Sequence, residues 1–118
     1  MQTHVLVYDP AIDGGGVGVH LFRGPFVGNG DYVRAVELLQ VTTFGFGAGC
    51  TLDIGIPSNP TLMFAGIDPS FFSTAPSTEV TVLPRSFHFA PSEPWQVTIN
   101  NAPATGGLLE LLVDQRGL

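Results

Sequence analysis

Glycine and proline divide this chain into short apolar pieces. There are 15 glycines and 10 prolines among 118 residues, and the runs between them alternate apolar and polar residues as β-strands do. The predicted strands span residues 4–8, 17–22, 32–43, 51–56, 79–83, 85–89, 95–100 and 108–114. Seven or eight short strands without a clear helix predict an all-β, antiparallel β-sandwich or jelly-roll-like fold, as a single domain over residues 1–118.

Two stretches fit this pattern less clearly. In residues 32–43, Tyr32, Val36 and Leu39 would share one face of a helix, while Val36 and Leu38 would share one face of a sheet. We favour a strand, because strands surround the stretch on both sides. Residues 57–78 contain four prolines and read as a long irregular segment. That segment is too apolar for disorder, so it should cross the domain or carry a contact surface.

The alternation within each run also predicts which side chains form the core. The inward positions are expected to be Val5, Val7, Val19, Leu21, Leu52, Ile54, Val80, Val82, Phe87, Phe89, Val97, Ile99, Leu109, Leu111 and Val113.

Charge excludes two classes of partner. Ten acidic residues face four arginines and no lysine, for a formal net charge of −6. Binding to nucleic acid without sequence preference needs clustered cations, and so does binding to an anionic membrane, so neither is expected. Only 12% of residues are charged, which fits either a protein packed against a partner or a surface rich in Ser, Thr and Asn. The single Cys50 fits a protein made in a reducing cytoplasm.

No arrangement of residues indicates catalysis, a cofactor or a metal. The glycine runs at 14–18 and 45–49 lead into strands and lack the lysine of a phosphate loop, so they read as hairpin connections. Cys50 has no neighbouring base that would activate it. The three histidines lack metal-ligand spacing and an acidic cluster; they are His4, His20 and His88. The sequence therefore predicts a protein that is not an enzyme.

The layout of the second half resembles small head proteins of tailed bacteriophages. Residues 51–68 (TLDIGIPSNPTLMFAGID) form an alternating strand with a D-x-G step, a polar Asn-Pro run and a short apolar segment. Residues 97–114 (VTINNAPATGGLLELLVD) form a strand, an Ala-Pro-x-x-Gly hairpin and a final apolar strand. With the strand at 32–43, the resemblance covers roughly residues 31–114. It implies a β-sandwich that decorates or cements the capsid, bound to the major capsid protein, and it implies no catalytic residue.

Three candidate contact surfaces follow from the residues. They are the apolar segment 62–72, the N-terminal residues 1–13 if these lie extended along a neighbour, and the outward face of the final strand. The candidate partner-binding residues are Leu62, Met63, Phe64, Phe71, Phe72, Leu108 and Leu112. We expect self-association as a dimer or trimer, and a protein made in the host cytoplasm and carried on the capsid surface of the virion.

Two other functions stay open. Trp95, Phe71 and Phe72 could stack on sugars in a carbohydrate- or receptor-binding β-module, which would show aromatic side chains in a row on an exposed face. The chain could also be another virion part, such as a tail, adaptor or fibre-base protein.

Overall fold

The computed structural model describes residues 2–24, 32–68, 77–88 and 93–116. These residues form eight strands and one short helix, which confirms the all-β prediction. In chain order they are β1 (Gln2–Tyr8), α1 (Pro10–Asp13), β2 (Gly18–Leu21), β3 (Tyr32–Phe46), β4 (Thr51–Ile56), β5 (Asn59–Ile67), β6 (Ser77–His88), β7 (Gln96–Asn100) and β8 (Ala104–Arg116). No helix of this described part is long and apolar enough to cross a membrane.

The strands form two four-stranded antiparallel sheets. Sheet 1 has the order β1-β8-β3-β6, and sheet 2 has the order β2-β7-β4-β5. The first strand pairs with the last, the second with the seventh, the third with the sixth and the fourth with the fifth. This is one long hairpin folded over on itself, with β8 against β3 and β7 against β4 joining the two arms. The result is the eight-stranded jelly roll.

The N-terminal residues are part of the sandwich. β1 pairs along its whole length with β8, from Gln2 opposite Gln115 to Tyr8 opposite Leu109. Residues 2–8 are therefore a strand of sheet 1, and residues 10–13 form the short helix that follows it. The stretch that was ambiguous between helix and strand is the long strand β3, which confirms the preferred interpretation.

Proline misled the sequence prediction at two sheet edges. The predicted irregular segment 57–78 is wrong for residues 59–67, which form β5 with Pro60 inside it. The predicted strands 79–83 and 85–89 form one strand, β6, which continues through Pro84. Both strands lie at the edge of their sheet, where a proline whose missing N–H would face outward removes no ladder hydrogen bond. Residues 69–76 and 89–92 lie outside the described part of the chain.

The core lies between the sheets, and seven of the fifteen predicted core positions are confirmed. Seven predicted residues have exposures of 0%: Leu52, Ile54, Val97, Ile99, Leu109, Leu111 and Val113. The side chains predicted at Val80, Val82, Phe87 and Phe89 lie outside the description. The remaining four predictions, on β1 and β2, are wrong. Val5, Val19 and Leu21 are about half exposed, Val7 is only partly buried, and the opposite faces of β1 and β2 point inward.

Aromatic side chains fill the core where β1 and β2 meet. Tyr8 is fully buried, with its ring 6.1 Å from Phe22 in an edge-to-face contact and 5.9 Å from the stacked ring of His20. Its hydroxyl donates a 2.6 Å hydrogen bond to the carbonyl oxygen of Gly14. Burial, with a smaller contribution from the nearby Asp13 carboxylate, raises the pKa of Tyr8. With these aromatic residues inward, Val5, Val19 and Leu21 of the same strands point outward.

A glycine in the β1–β2 connection lies against the first residue of β8. The carbonyl oxygen of Gly15 accepts a 2.7 Å hydrogen bond from the backbone N–H of Ala104. A Cβ atom at position 15 would overlap the Ala104 backbone, so this close approach requires glycine.

Candidate interface surfaces

The final strand presents its leucines as the sequence predicts. Leu109, Leu111 and Val113 are fully buried, so the residues between and beside them, Leu108, Glu110 and Leu112, face away from the core. Leu108 and Leu112 are partly exposed on that outer side of sheet 1, with Glu110 between them. The expected outward orientation of Leu108 and Leu112 is confirmed.

Neighbouring strands extend this surface into a patch. Val5 of β1 and Glu37 of β3 lie on either side of Leu112. Val7 and Leu39 lie in the same way on either side of Glu110. We call this patch the sheet-1 face; its members are Val5, Val7, Glu37, Leu39, Leu108, Glu110 and Leu112. Val5 is its most open member, with 51% of its surface exposed.

Two carboxylates interrupt the aliphatic surface of the sheet-1 face. Glu110 lies between Val7 and Leu39, and Glu37 lies beside Leu112. Within the described part of the chain, an ion pair joins Arg23 Nε to Asp13 Oδ1 at 2.8 Å, and no ion pair involves Glu37 or Glu110. Among the described side chains, the face is therefore aliphatic apart from these two carboxylates.

The second candidate surface, segment 62–72, is only partly described. Met63 is 6% exposed and belongs to the core, so its side chain is not a contact surface as the sequence suggested. Leu62 and Phe64 are partly buried and pack against that core from the edge strand β5. Phe71 and Phe72 lie outside the described residues.

The sequence analysis missed a third apolar surface, on β2. Val17, Val19 and Leu21 are 61%, 57% and 48% exposed. Alternation correctly predicts that they share a face, but not that the face points outward. The signal that could have shown this is the size of the alternatives, because His20, Phe22 and the neighbouring Tyr8 fill more of the core. We call these three residues the β2 row.

Polar groups elsewhere bind the framework together. The Asp53 carboxylate accepts hydrogen bonds from the Gly66 N–H at 2.6 Å and from Asn100 Nδ2 at 3.1 Å, which ties β4 to both of its neighbours. The Glu93 carboxylate accepts from the N–H and hydroxyl of Ser58 at 2.9 and 2.8 Å, and so fixes the β4–β5 turn. The carboxylates of Asp53 and Glu93 therefore have a structural role.

The described residues contain no group of three or more His, Cys, Asp or Glu that could hold a metal ion. His20 Nε2 lies 2.6 Å from the carbonyl oxygen of Gly16, a contact that fixes the loop before β2. Cys50 is 1% exposed, and burial raises the pKa of its thiol. A buried thiol that resists ionisation is a poor nucleophile.

Comparison with solved structures agrees with the topology. The fold is similar to one chain of a structure described as the capsid asymmetric unit of cyanophage Pam1, with a TM-score of 0.70. The similarity covers 99% of this chain and 84% of that chain, at 13% sequence identity. No protein-family profile matches the chain, and no curated protein matches it in sequence. At this identity the likeness shows the shared fold.

The aromatic residues are distributed as core residues. Tyr8, Phe22 and Trp95 are 0%, 3% and 1% exposed, and Phe64 is only partly exposed. Phe46, at the end of β3, is 36% exposed. Among the residues whose side chains are described, no row of exposed aromatic rings forms a surface on which sugars could stack.

Proposed function

We propose that this chain is a structural virion protein that decorates a phage head by binding its major capsid protein. The observation that carries the proposal is the likeness over 99% of the chain to a component of a phage capsid assembly. Jelly rolls also occur in lectins and cupins, so the fold permits this function without requiring it. The surface chemistry supplies the second support.

The sheet-1 face is the proposed contact with the shell. Complete burial of one valine or leucine side chain contributes roughly 1.5–3 kcal/mol before the costs of association. Leu108 and Leu112 are already partly covered, so each contributes less than that, and the more exposed Val5 adds to them. Several such residues on one flat sheet give an apolar contact whose binding should persist at high salt, because salt screens charges and does not weaken apolar burial.

The negative charge of the chain fits a position on the outside of the shell, where many equivalent binding sites are present. A net charge of −6 without lysine suits a protein kept away from packaged DNA. Binding at many equivalent sites gains strength when the bound copies are linked to one another. The proposal therefore includes self-association, as a dimer or trimer.

Reconstitution with empty shells tests the proposal. Shells assembled from the major capsid protein of the same genome would be mixed with wild type or with a Leu108→Ser, Leu112→Ser variant, at low and high salt, and bound copies counted by mass spectrometry. We expect wild type to stay bound in high salt and the variant to lose about tenfold or more in affinity. Ile12→Ser is the control, since Ile12 is 70% exposed on α1, outside the sheet-1 face.

Each other outcome removes a part of the proposal. Equal occupancy by wild type and the double variant, once both are shown to be folded, would remove the sheet-1 face from the contact. Release of wild type at moderate salt would show that charge drives binding. Absence of binding to any shell would contradict decoration and favour a carbohydrate-binding module, which a glycan array would detect. Imaging of complete virions would separate a head protein from a tail or adaptor protein.

A further inference from the structure

The outer edge of β2 carries backbone hydrogen-bonding groups that no described residue pairs with. The N–H of Phe22 donates to the carbonyl oxygen of Trp95 at 3.0 Å, on the β7 side. Because backbone direction alternates along a strand, the N–H and C=O groups of Val19 and Leu21 point the opposite way. Arg23 follows the same rule and exchanges two backbone hydrogen bonds with Val7, at 2.8 and 3.0 Å. In the described part of the chain, no such partner reaches Val19 or Leu21.

The three other sheet edges carry features that hinder pairing with another chain. The edge of β1 is closed at Val7 by Arg23, in a bridge that also covers the β2 edge just after Leu21 and leaves the groups of Val19 and Leu21 beyond it. The edge strand β5 contains Pro60 and two register shifts against β4. The edge strand β6 contains Pro84 and one register shift against β3. Prolines and bulges of this kind prevent edge-to-edge association, and the four residues of β2 contain neither a proline nor a charge.

The side chains beside this free edge are apolar and uncharged. The β2 row leaves roughly half or more of each side chain exposed. The nearest cation, Arg23, is held by Asp13 in an ion pair at 2.8 Å. The four residues of β2 therefore bring no charged side chain against the β2 strand of a second copy. The sheet-1 face differs, because two copies meeting there would oppose Glu37 and Glu110.

We propose that a second copy of this chain binds at β2, antiparallel across a two-fold axis at His20. In that register Val19 of each copy lies opposite Leu21 of the other. Each of these two residues then gives and receives a backbone hydrogen bond, so four new bonds join the copies. The two β2 rows become one apolar strip, and the second sheets of the two copies form a continuous eight-stranded sheet.

This inference deepens the proposed function, on which it rests for its biological meaning, by naming the surface of self-association. Because β2 is only four residues long, the dimer should form at high protein concentration in solution. On a shell, the linkage would raise the effective concentration of the second copy and strengthen decoration.

Measurement of mass by sedimentation equilibrium, without shells, tests the dimer from micromolar to millimolar concentration. We expect wild type to pass from monomer to dimer, and a Val19→Lys, Leu21→Lys variant to self-associate about a hundredfold more weakly, since its added charges would oppose one another. The matched control is Val41→Lys, Phe46→Lys, which adds the same charge at two exposed positions of β3 outside the sheet-1 face, 38% and 36% exposed. The control should dimerise as wild type does.

Amide hydrogen exchange reads the hydrogen bonds directly. The amides of Val19 and Leu21 should become protected as concentration rises, while those of His20 and Phe22, which face β7, should be protected at every concentration. A chain that stays monomeric at millimolar concentration, a trimer, or a dimer in which the Val19 and Leu21 amides exchange freely would overturn the proposal. A monomer that still decorates shells would overturn this inference alone and leave the proposed function standing.

Discussion

The sheet-1 face and the β2 row are both aliphatic, exposed and built on strands, yet they differ in charge and in backbone. The sheet-1 face spans three paired strands and includes Glu37 and Glu110. The β2 row has no charge and lies beside backbone groups that no described residue satisfies. One surface offers a flat side-chain contact, and the other offers a strand edge.

This difference indicates two kinds of partner. Acidic residues on a surface oppose its pairing with an identical surface but allow pairing with a different protein. An uncharged strand edge accepts an identical edge, because antiparallel pairing is symmetric about a two-fold axis. The difference therefore supports the two proposals, that the shell binds the sheet-1 face and that a second copy binds β2.

The largest expected effect is on the free energy of unfolding, which should depend on the core residues and not on the β2 row. Ile54 and Ile99 are fully buried, so replacing either by Ala should lower the free energy of unfolding by about 2–5 kcal/mol. Val19→Ala and Leu21→Ala should each change it by less than about 0.5 kcal/mol, since exposed positions make few contacts. Urea unfolding of the four variants measures this. If Val19→Ala cost as much as Ile54→Ala, β2 would face inward.

Alternation in the sequence predicts which residues share a face of a strand, but not which face is buried. It correctly places Val19 and Leu21 on one face and predicts the wrong side, because a four-residue strand carries no internal sign of which face is buried. The choice is made by packing against a residue distant in sequence, Tyr8, with Phe22 and His20 against it. For β8 the choice was clear, since Leu109, Leu111 and Val113 sit in a longer run.

The candidate surfaces were predictable to a similar degree. The outward leucines of β8 follow from the sequence because the alternation in that strand is long. The contribution of Val5 and Leu39 does not, since it depends on the register of β8 against β1 and β3. The free edge of β2 depends on strand order in the sheet, which no local pattern contains. The sequence analysis assigns Met63 to a surface because Pro57 and Pro60 predict an irregular segment where the structure has the edge strand β5.

A second prediction tests whether the carboxylates prevent self-pairing of the sheet-1 face. In the Val19→Lys, Leu21→Lys background, which removes pairing through β2, the further change Glu37→Leu, Glu110→Leu should make the chain self-associate more tightly by about tenfold or more. The reason is that the change removes opposed charge and completes the aliphatic patch. Light scattering against concentration measures it, with Glu93→Leu as the control outside the face. A quadruple variant that stays as monomeric as its parent would mean that the acids do not decide which surface pairs.

The smallest effect concerns the contact that positions the loop before β2. Tyr8→Phe removes the 2.6 Å hydrogen bond to the Gly14 carbonyl oxygen and keeps the ring contacts with His20 and Phe22. We expect a loss of about 1 kcal/mol in the free energy of unfolding at neutral pH. The β2 edge should remain, so that dimerisation of the variant changes little.

The same variant should alter the response to alkali. Burial, followed by the effect of Asp13, raises the pKa of the Tyr8 phenol in the folded protein, so the folded state retains a proton that the unfolded chain releases above about pH 10. The contribution of Tyr8 to stability is therefore complete below that pH and declines as pH rises towards the folded pKa. Wild type should lose more stability than Tyr8→Phe between neutral pH and about pH 11, and the difference between them should narrow. Cys50, whose pKa burial also raises, is present in both proteins and cancels in the comparison. A difference that stayed constant with pH would show that Tyr8 ionises alike in both states, and would place its hydroxyl in water rather than against the loop that leads to β2.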